Sequence, residues 1–415
     1  MNPDSSRAVD EIEVVISRMG YGGDGIGRLP DGRAVFVPFV LPGERVRAQP
    51  VETRRNFIRA RLLEVLEASP DRIAPPCIHF GTCGGCHYQH IPYPRQLALK
   101  QDILREQLER IGGFSDPPVH PTIPSPSEWN YRNHIQFHLT GDGKLGYYTL
   151  AGDRVFAVQE CLLPEEPIRR TWPRLDFEAI PEIERIGLRA GAGEDIQLTL
   201  EGSDPHAPEM SLDLPISAAY LGPGGQVILA GDEALIMEVR GRAFQVSPGS
   251  FFQVNTALAE AMVGYLLEQL PLSPEMVLID LYCGVGLFSA FLAPRVRQMI
   301  GVEISEQACA DFAANLDEFE NVVLYQGPAE QVLPALDARP DGIIVDPPRA
   351  GLERKALDSI VALGAPALAY VSCDPATLAR DAKRLVETGY RLVHATPFDL
   401  FPQTYHIESI SLFSK

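Results

Sequence analysis

From residue 274 onward, five short apolar runs at 276–279, 299–302, 322–325, 343–345 and 367–371 alternate with helix-like stretches. A strand that is apolar throughout needs cover on both faces, and helices crossing over between parallel strands supply that cover. This alternation predicts an α/β fold with a doubly wound, Rossmann-like sheet. The helix expected at 305–317 opens on Ser305 as N-cap and turns Ala308, Phe312 and Leu316 inward. Two later runs, 391–396 and 407–412, have the lengths of a hairpin that closes the sheet.

The first part of the chain reads differently. Strand-like runs Glu13 to Ile16, Ala34 to Val37, Arg45 to Val51 and Phe57 to Val65 are separated by the turns Gly22-Gly23-Asp24-Gly25 and Leu41-Pro42-Gly43-Glu44. Short strands at this spacing suggest a small closed β-barrel of the oligonucleotide-binding (OB) type. A cysteine-rich loop at 75–90 follows, then a helix at 94–111 with Leu97, Leu104, Leu108 and Ile111 on one face and Gly112-Gly113 as its stop. Residues 115–245 read as a mixed, strand-rich region. Three domains are expected: a barrel over 1–68, a mixed α+β central domain over 69–245 and the doubly wound sheet over 246–415.

Composition narrows the class. With 45% hydrophobic and 22% charged residues, the chain has the balance of an ordinary globular protein. No apolar run approaches the roughly 18 residues that span a bilayer, so no membrane partner is expected. Asp4, Arg7, Asp10, Glu11 and Glu13 interrupt the start, leaving no signal-peptide core, and the expected location is cytoplasmic. A net charge of −19 opposes a polyanionic partner. Its distribution softens the objection. Residues 45–61 carry six arginines, Arg54, Arg55, Arg59 and Arg61 among them, against Glu52 alone, while 176–213 holds ten acids.

Ligands of doubly wound sheets bind beyond the carboxyl ends of the strands. The first strand runs into Asp280-Leu281-Tyr282-Cys283-Gly284-Val285-Gly286 and then a helix. The glycines allow a close backbone approach, although a tight structural turn has the same composition. The second strand ends at Glu303, placed to accept hydrogen bonds from ribose hydroxyls. The turn lacks a full G-x-G-x-x-G, which favours a nucleoside with an amino-acid tail, S-adenosylmethionine, over a dinucleotide. Asp346 precedes Pro347-Pro348, which stiffen its loop. Cys373 falls at a strand-to-helix junction, where helix amides lower a thiol pKa; a buried structural cysteine is the alternative. The segment Phe401 to Glu408 should return an imidazole and a carboxylate to the same end.

Cys77, Cys83, Cys86 and Cys161 make a four-thiolate set, three from one loop and one from afar. Their spacing leaves tetrahedral zinc and a four-iron cluster both open.

The runs FFQVN at 251–255, DLYCGVGLFS at 280–289, DPPRAGL at 346–352, SCDPATLARD at 372–381 and FPQTYHIE at 401–408 together resemble the motif set of the uracil-5 RNA methyltransferases. Residues 11–66 resemble the RNA-binding TRAM barrel, and CIHFGTCGGC at 77–86 with Cys161 resembles that family's iron–sulfur site. The resemblance implies Cys373 as nucleophile and Glu408 as general base. It implies Gln253, Tyr282, Glu303 and Asp346 as the S-adenosylmethionine site, and Cys77, Cys83, Cys86 and Cys161 as ligands of a [4Fe–4S] cluster rather than zinc. RNA is the implied partner, ribosomal RNA ahead of transfer RNA, with no obligate protein partner. Phe251 is a candidate to stack on an everted base. Two positions depart from the pattern: Leu287 replaces a frequent Asn, at the expected cost of one polar cofactor contact, and Asp374 replaces another, placing a negative charge beside the thiol. Competing classes are a redox protein built on the cluster and an inactive RNA-binding module. The nucleoside-site motifs weigh against the first, and the presence of both Cys373 and Glu408 against the second.

Overall fold

Val277, Leu278, Ile279, Asp280 and Leu281 are all buried in the computed structural model, which describes residues 11–415. They form the middle of a seven-stranded sheet. Its order is Val322–Gln326, Gln298–Glu303, Val277–Leu281, Gly342–Val345, Ala367–Ser372, Glu408–Ser414 and Arg391–Phe398. The first five strands are parallel, as their apolar composition requires. Glu408–Ser414 runs antiparallel to both neighbours, which is the expected closing hairpin. Separate apolar cores cover the two faces, one around Met262, Phe288 and Phe312, the other around Ile343, Tyr370 and Leu378. Helix Glu306–Asn315 starts at Ser305, whose hydroxyl accepts the Ala308 N–H at 3.3 Å, and it buries Ala308 and Phe312.

The first ten residues of the expected barrel domain lie outside the described residues. The barrel is closed, with Ile12–Met19, Asp24–Arg28, Ala34–Pro38, Phe57–Glu67 and Arg45–Thr53 in that order around it. Asp24–Arg28 corrects the sequence expectation, in which Asp24 and Gly25 belonged to a turn. Glycine stands in this strand because the interior is full: a Cβ on Gly25 would lie 2.3 Å from Cγ2 of Val40, and one on Gly27 2.4 Å from Cγ2 of Val14. The central region is a second seven-stranded sheet, mostly antiparallel, around Ile186, Leu188 and Leu198.

Helix Tyr93–Arg110 joins these parts. Its buried face is Gln96, Leu99, Lys100, Ile103, Leu104, Gln107 and Leu108, rotated from the expected stripe, and Ile111 is 40% exposed. Leu104 and Leu108 enter the core of the C-terminal sheet, whereas Leu99 and Ile103 meet Met19 and Leu41 of the barrel side together with Ile407. Gln96 and Lys100 on this face bond to the loop that carries the candidate site. Among the described residues, no helix is long and apolar enough to cross a membrane.

Because an added methyl at Gly25 has no room, Gly25→Ala should destabilise the fold by about 1–3 kcal/mol. The urea-unfolding midpoint measures this; a loss below about 0.5 kcal/mol would mean that Val40 and Ile16 yield to the methyl.

Candidate active site at the carboxyl end of the parallel sheet

The loop after Val277–Leu281 is held in a backbone conformation that few residues tolerate. Tyr282, Gly284 and Gly286 have φ of 63°, 54° and 90°. Tyr282 is fixed there by its N–H donating to the Val302 carbonyl at 2.8 Å, and strain of this kind concentrates at functional loops. A Cβ on Gly286 would approach Leu316 Cδ1 to 2.4 Å. Glu303, ending the adjacent strand, accepts from the Gly284 N–H at 3.0 Å and from the Ile304 and Ser305 N–H groups at 2.8 Å each. Its carboxylate therefore fixes the glycine loop and the start of the next helix at once. Leu287 packs into the apolar core.

Acidic groups crowd this end. Asp280 is fully buried, accepts the Ser289 hydroxyl at 2.7 Å, and is pushed up to about 7 by burial. Asp346 is also raised to about 7, by burial first and then by the charge of Glu303. Crowded carboxyl groups of this kind fit a cationic ligand, whose charge offsets their mutual repulsion. A sulfonium or an ammonium group carries such a charge.

Strand register brings the nucleophile and base candidates together. Ser372 lies opposite Ser409 and Phe398 opposite Glu408, so the next step of the ladder sets Cys373 alongside Glu408. Glu408 is buried, and burial followed by Asp346 raises its pKa well above the usual carboxylate value, against an opposing pull from Arg349. Cys373 is half-buried and pushed up to about 12, by burial, then by Glu408 and Asp346. This corrects the expectation that helix amides lower its pKa: desolvation and nearby carboxylates outweigh them. Asp374 adds to the upward shift, as expected, and Arg349 is the positive charge that acts against it. Arg349 was not singled out from the sequence; its place directly after Asp346-Pro347-Pro348 was the available signal. His406 is pushed down to about 3 by burial and then by Arg349, so it is neutral near pH 7.

Asp374 caps helix Pro375–Glu387. One carboxylate oxygen accepts the Ala376 and Thr377 N–H groups at 2.9 Å, and the other accepts the hydroxyl of Tyr21 from the barrel at 2.8 Å. Gln253 is buried, with its carbonyl accepting from Asn133 Nδ2 at 2.9 Å. Phe251, two residues earlier, is 67% exposed.

Cys77, Cys83, Cys86 and Cys161 line one cavity of about 440 Å³. The His79 N–H donates to Cys77 Sγ and the Gly85 N–H to Cys83 Sγ, both at 3.4 Å. Four thiols and amide donors around one cavity fit an iron–sulfur cluster. Among the described residues, no three His, Cys, Asp or Glu side chains gather closely enough for a single metal ion.

The arginine-rich stretch is less basic than its sequence implies. Arg45 and Arg47 pair with Glu13, Glu64 and Glu67 across the strands, Arg54 with Glu52, and Arg59 with Asp24 and Glu52. A count over 45–61 misses Glu13, Asp24, Glu64 and Glu67 because they lie outside that stretch of sequence.

Residues 230–415 match the profile of the tRNA (uracil-5-)-methyltransferases, and residues 6–63 match that of the TRAM domain. An uncharacterised RNA methyltransferase of Nostoc is 35% identical over 96% of this chain and 95% of its own length. Another from Streptomyces coelicolor is 34% identical over 97% of this chain and 92% of its own. The chain belongs to the uracil-5 RNA methyltransferase family. A Pyrococcus abyssi tRNA (uracil-54, C5)-methyltransferase, solved with S-adenosyl-L-homocysteine, superposes with a TM-score of 0.75 at 25% identity, covering 97% of this chain and all of that one. The protein is thus an S-adenosylmethionine-dependent RNA methyltransferase.

The raised thiol has a direct consequence without ligands. Its neutral form is favoured, so Cys373 should react with iodoacetamide more slowly than free cysteine at pH 7, with a rate still climbing at about pH 9.5. Mass spectrometry of the Cys373 peptide reads this, and a rate that levels off below pH 8 contradicts the environment described.

Proposed function

We propose that this methyltransferase modifies carbon 5 of a uridine in ribosomal RNA through a covalent adduct between Cys373 Sγ and carbon 6. The observation that carries the reading is the ladder register that sets Cys373 alongside Glu408, next to Asp346. Gln253, Tyr282, Glu303 and Asp346 hold the cofactor, which supplies an electrophilic methyl group. Carbon 5 of uracil is a weak nucleophile. Addition of the Cys373 thiolate to carbon 6 moves the ring's π electrons toward the carbon 4 carbonyl and makes carbon 5 enolate-like. The field of Arg349 favours that thiolate. After carbon 5 takes the methyl, the Glu408 carboxylate removes its proton. The released electron pair rebuilds the carbon 5–carbon 6 double bond and expels Cys373. Burial makes Glu408 more basic than an exposed carboxylate, which suits this step. Phe251 stacks on the everted base.

The barrel presents RNA, and Cys77, Cys83, Cys86 and Cys161 hold a [4Fe–4S] cluster, supported by their shared cavity and amide donors. Transfer RNA is the second reading, favoured by the substrate named for the Pyrococcus abyssi enzyme.

Two experiments test these statements. With radiolabelled cofactor and substrate RNA, Cys373→Ala should give neither product nor labelled protein. Glu408→Gln should accumulate a methylated RNA–protein adduct that survives denaturing electrophoresis; normal turnover by Glu408→Gln would assign the base to another group. For the target, 5-methyluridine mapped in a deletion strain should disappear from a ribosomal RNA position, whereas loss confined to transfer RNA would replace the first reading by the second.

A further inference from the structure

Three consecutive carbonyls of the loop leading to Glu408 are each held by the central region. Phe401 O accepts from Lys100 Nζ at 3.0 Å, Pro402 O from the Tyr131 hydroxyl at 3.1 Å, and Gln403 O from the His87 and Tyr88 N–H groups at 2.9 and 3.0 Å. Gln403 is 1% exposed and has φ of 69°, a strained conformation for a side chain of this kind. Its own N–H donates to Gln96 Oε1 at 3.0 Å.

Two of these holds begin at the four-cysteine site. His87 and Tyr88 directly follow Cys86. Tyr131 is buried against Cys86, Cys161 and Leu163. The flanking Asn130 and Arg132 N–H groups donate to Leu162 and Leu163 carbonyls at 2.9 and 3.0 Å, just after Cys161. The next residue, Asn133, carries the amide that holds Gln253. The segment that supplies Cys86, and the Tyr131 segment bonded to the residues after Cys161, thus grip adjacent peptide units of the loop leading to Glu408.

We propose that Tyr131 is a positioning residue that couples the four-cysteine site to the placement of Glu408, so that a disordered cysteine site loosens the segment 399–409. The catalytic part of this inference rests on the role proposed for Glu408; the mechanical part stands apart from it. A cluster bound to the four thiols gives Cys86 and Cys161 a common anchor, and the loop inherits its order from them.

Hydrogen exchange and kinetics on the full-length protein test both parts. Tyr131→Phe removes one hydroxyl and keeps the packed ring. Peptides covering 399–409 should exchange about 3- to 10-fold faster, as expected for one lost hydrogen bond, with 277–281 unchanged. Unchanged protection at 399–409 overturns the coupling. The same variant should lower kcat by a similar factor while leaving KM for RNA and cofactor alone; a raised KM with intact kcat would make Tyr131 a binding residue and overturn the positioning role. Stripping iron from anaerobically purified protein with a chelator should loosen 77–91, 157–164 and 399–409 together. Loosening of the cysteine segments with 399–409 still protected refutes the inference. Protein purified without iron would sink the cluster reading, and the Tyr131→Phe exchange data would still decide the coupling.

Discussion

Lys100 and Asp399 form an ion pair at 2.5 Å with both side chains fully buried. Desolvation of two charges is costly, and removal of either partner alone leaves the other uncompensated in the interior. The pair therefore confines helix Tyr93–Arg110 and the end of strand Arg391–Phe398 to one relative position. The same helix also holds part of the segment between Asp399 and Glu408: Lys100 holds the Phe401 carbonyl, and Gln96 holds Gln403. A loop of this length would otherwise be mobile. Here a helix from the first quarter of the chain makes it rigid.

That rigidity matters because the groups it gathers repel one another. Asp280, Asp346 and Glu408 are all raised by burial, and Cys373 stands among them. Such a pocket is stable as neutral acids and becomes reactive when positive charge enters it. Arg349 provides part of that charge permanently. In the mechanism proposed above, cofactor binding and nucleophile activation are linked through electrostatics, with no moving part required. Tyr21 contributes from outside the sheet: its hydroxyl occupies one oxygen of Asp374 and limits how that charge bears on the thiol.

The parallel sheet was legible because each strand is a continuous apolar run, a pattern with few other solutions. The placement of Glu303, Asp346 and Cys373 at strand tips was legible from where each apolar run ends. Strand Asp24–Arg28 was hidden by the glycines that its tight interior demands. The buried face of helix Tyr93–Arg110 was misjudged because three of its seven residues are polar: Gln96, Lys100 and Gln107 point inward, the first two to bond with distant loops, and apolar periodicity cannot register them. Tyr131 and Arg349 act through partners remote in sequence, which local patterns do not record. The elevated thiol went unforeseen for the same reason, since the responsible carboxylates converge only in three dimensions.

The 299 residues that separate Lys100 from Asp399 also set a schedule for synthesis. Helix Tyr93–Arg110 leaves the ribosome early, carrying Leu104, Leu108 and a lysine whose partners are made almost last. Until helix Pro375–Glu387 and strand Arg391–Phe398 emerge, the Leu104–Leu108 side of that face lacks much of its permanent cover. Contacts this remote are slow to form and leave apolar surface open in the meantime. A chain stalled before Asp399 therefore carries an exposed, partly charged helix face and lacks the edge at which Cys373 and Glu408 meet.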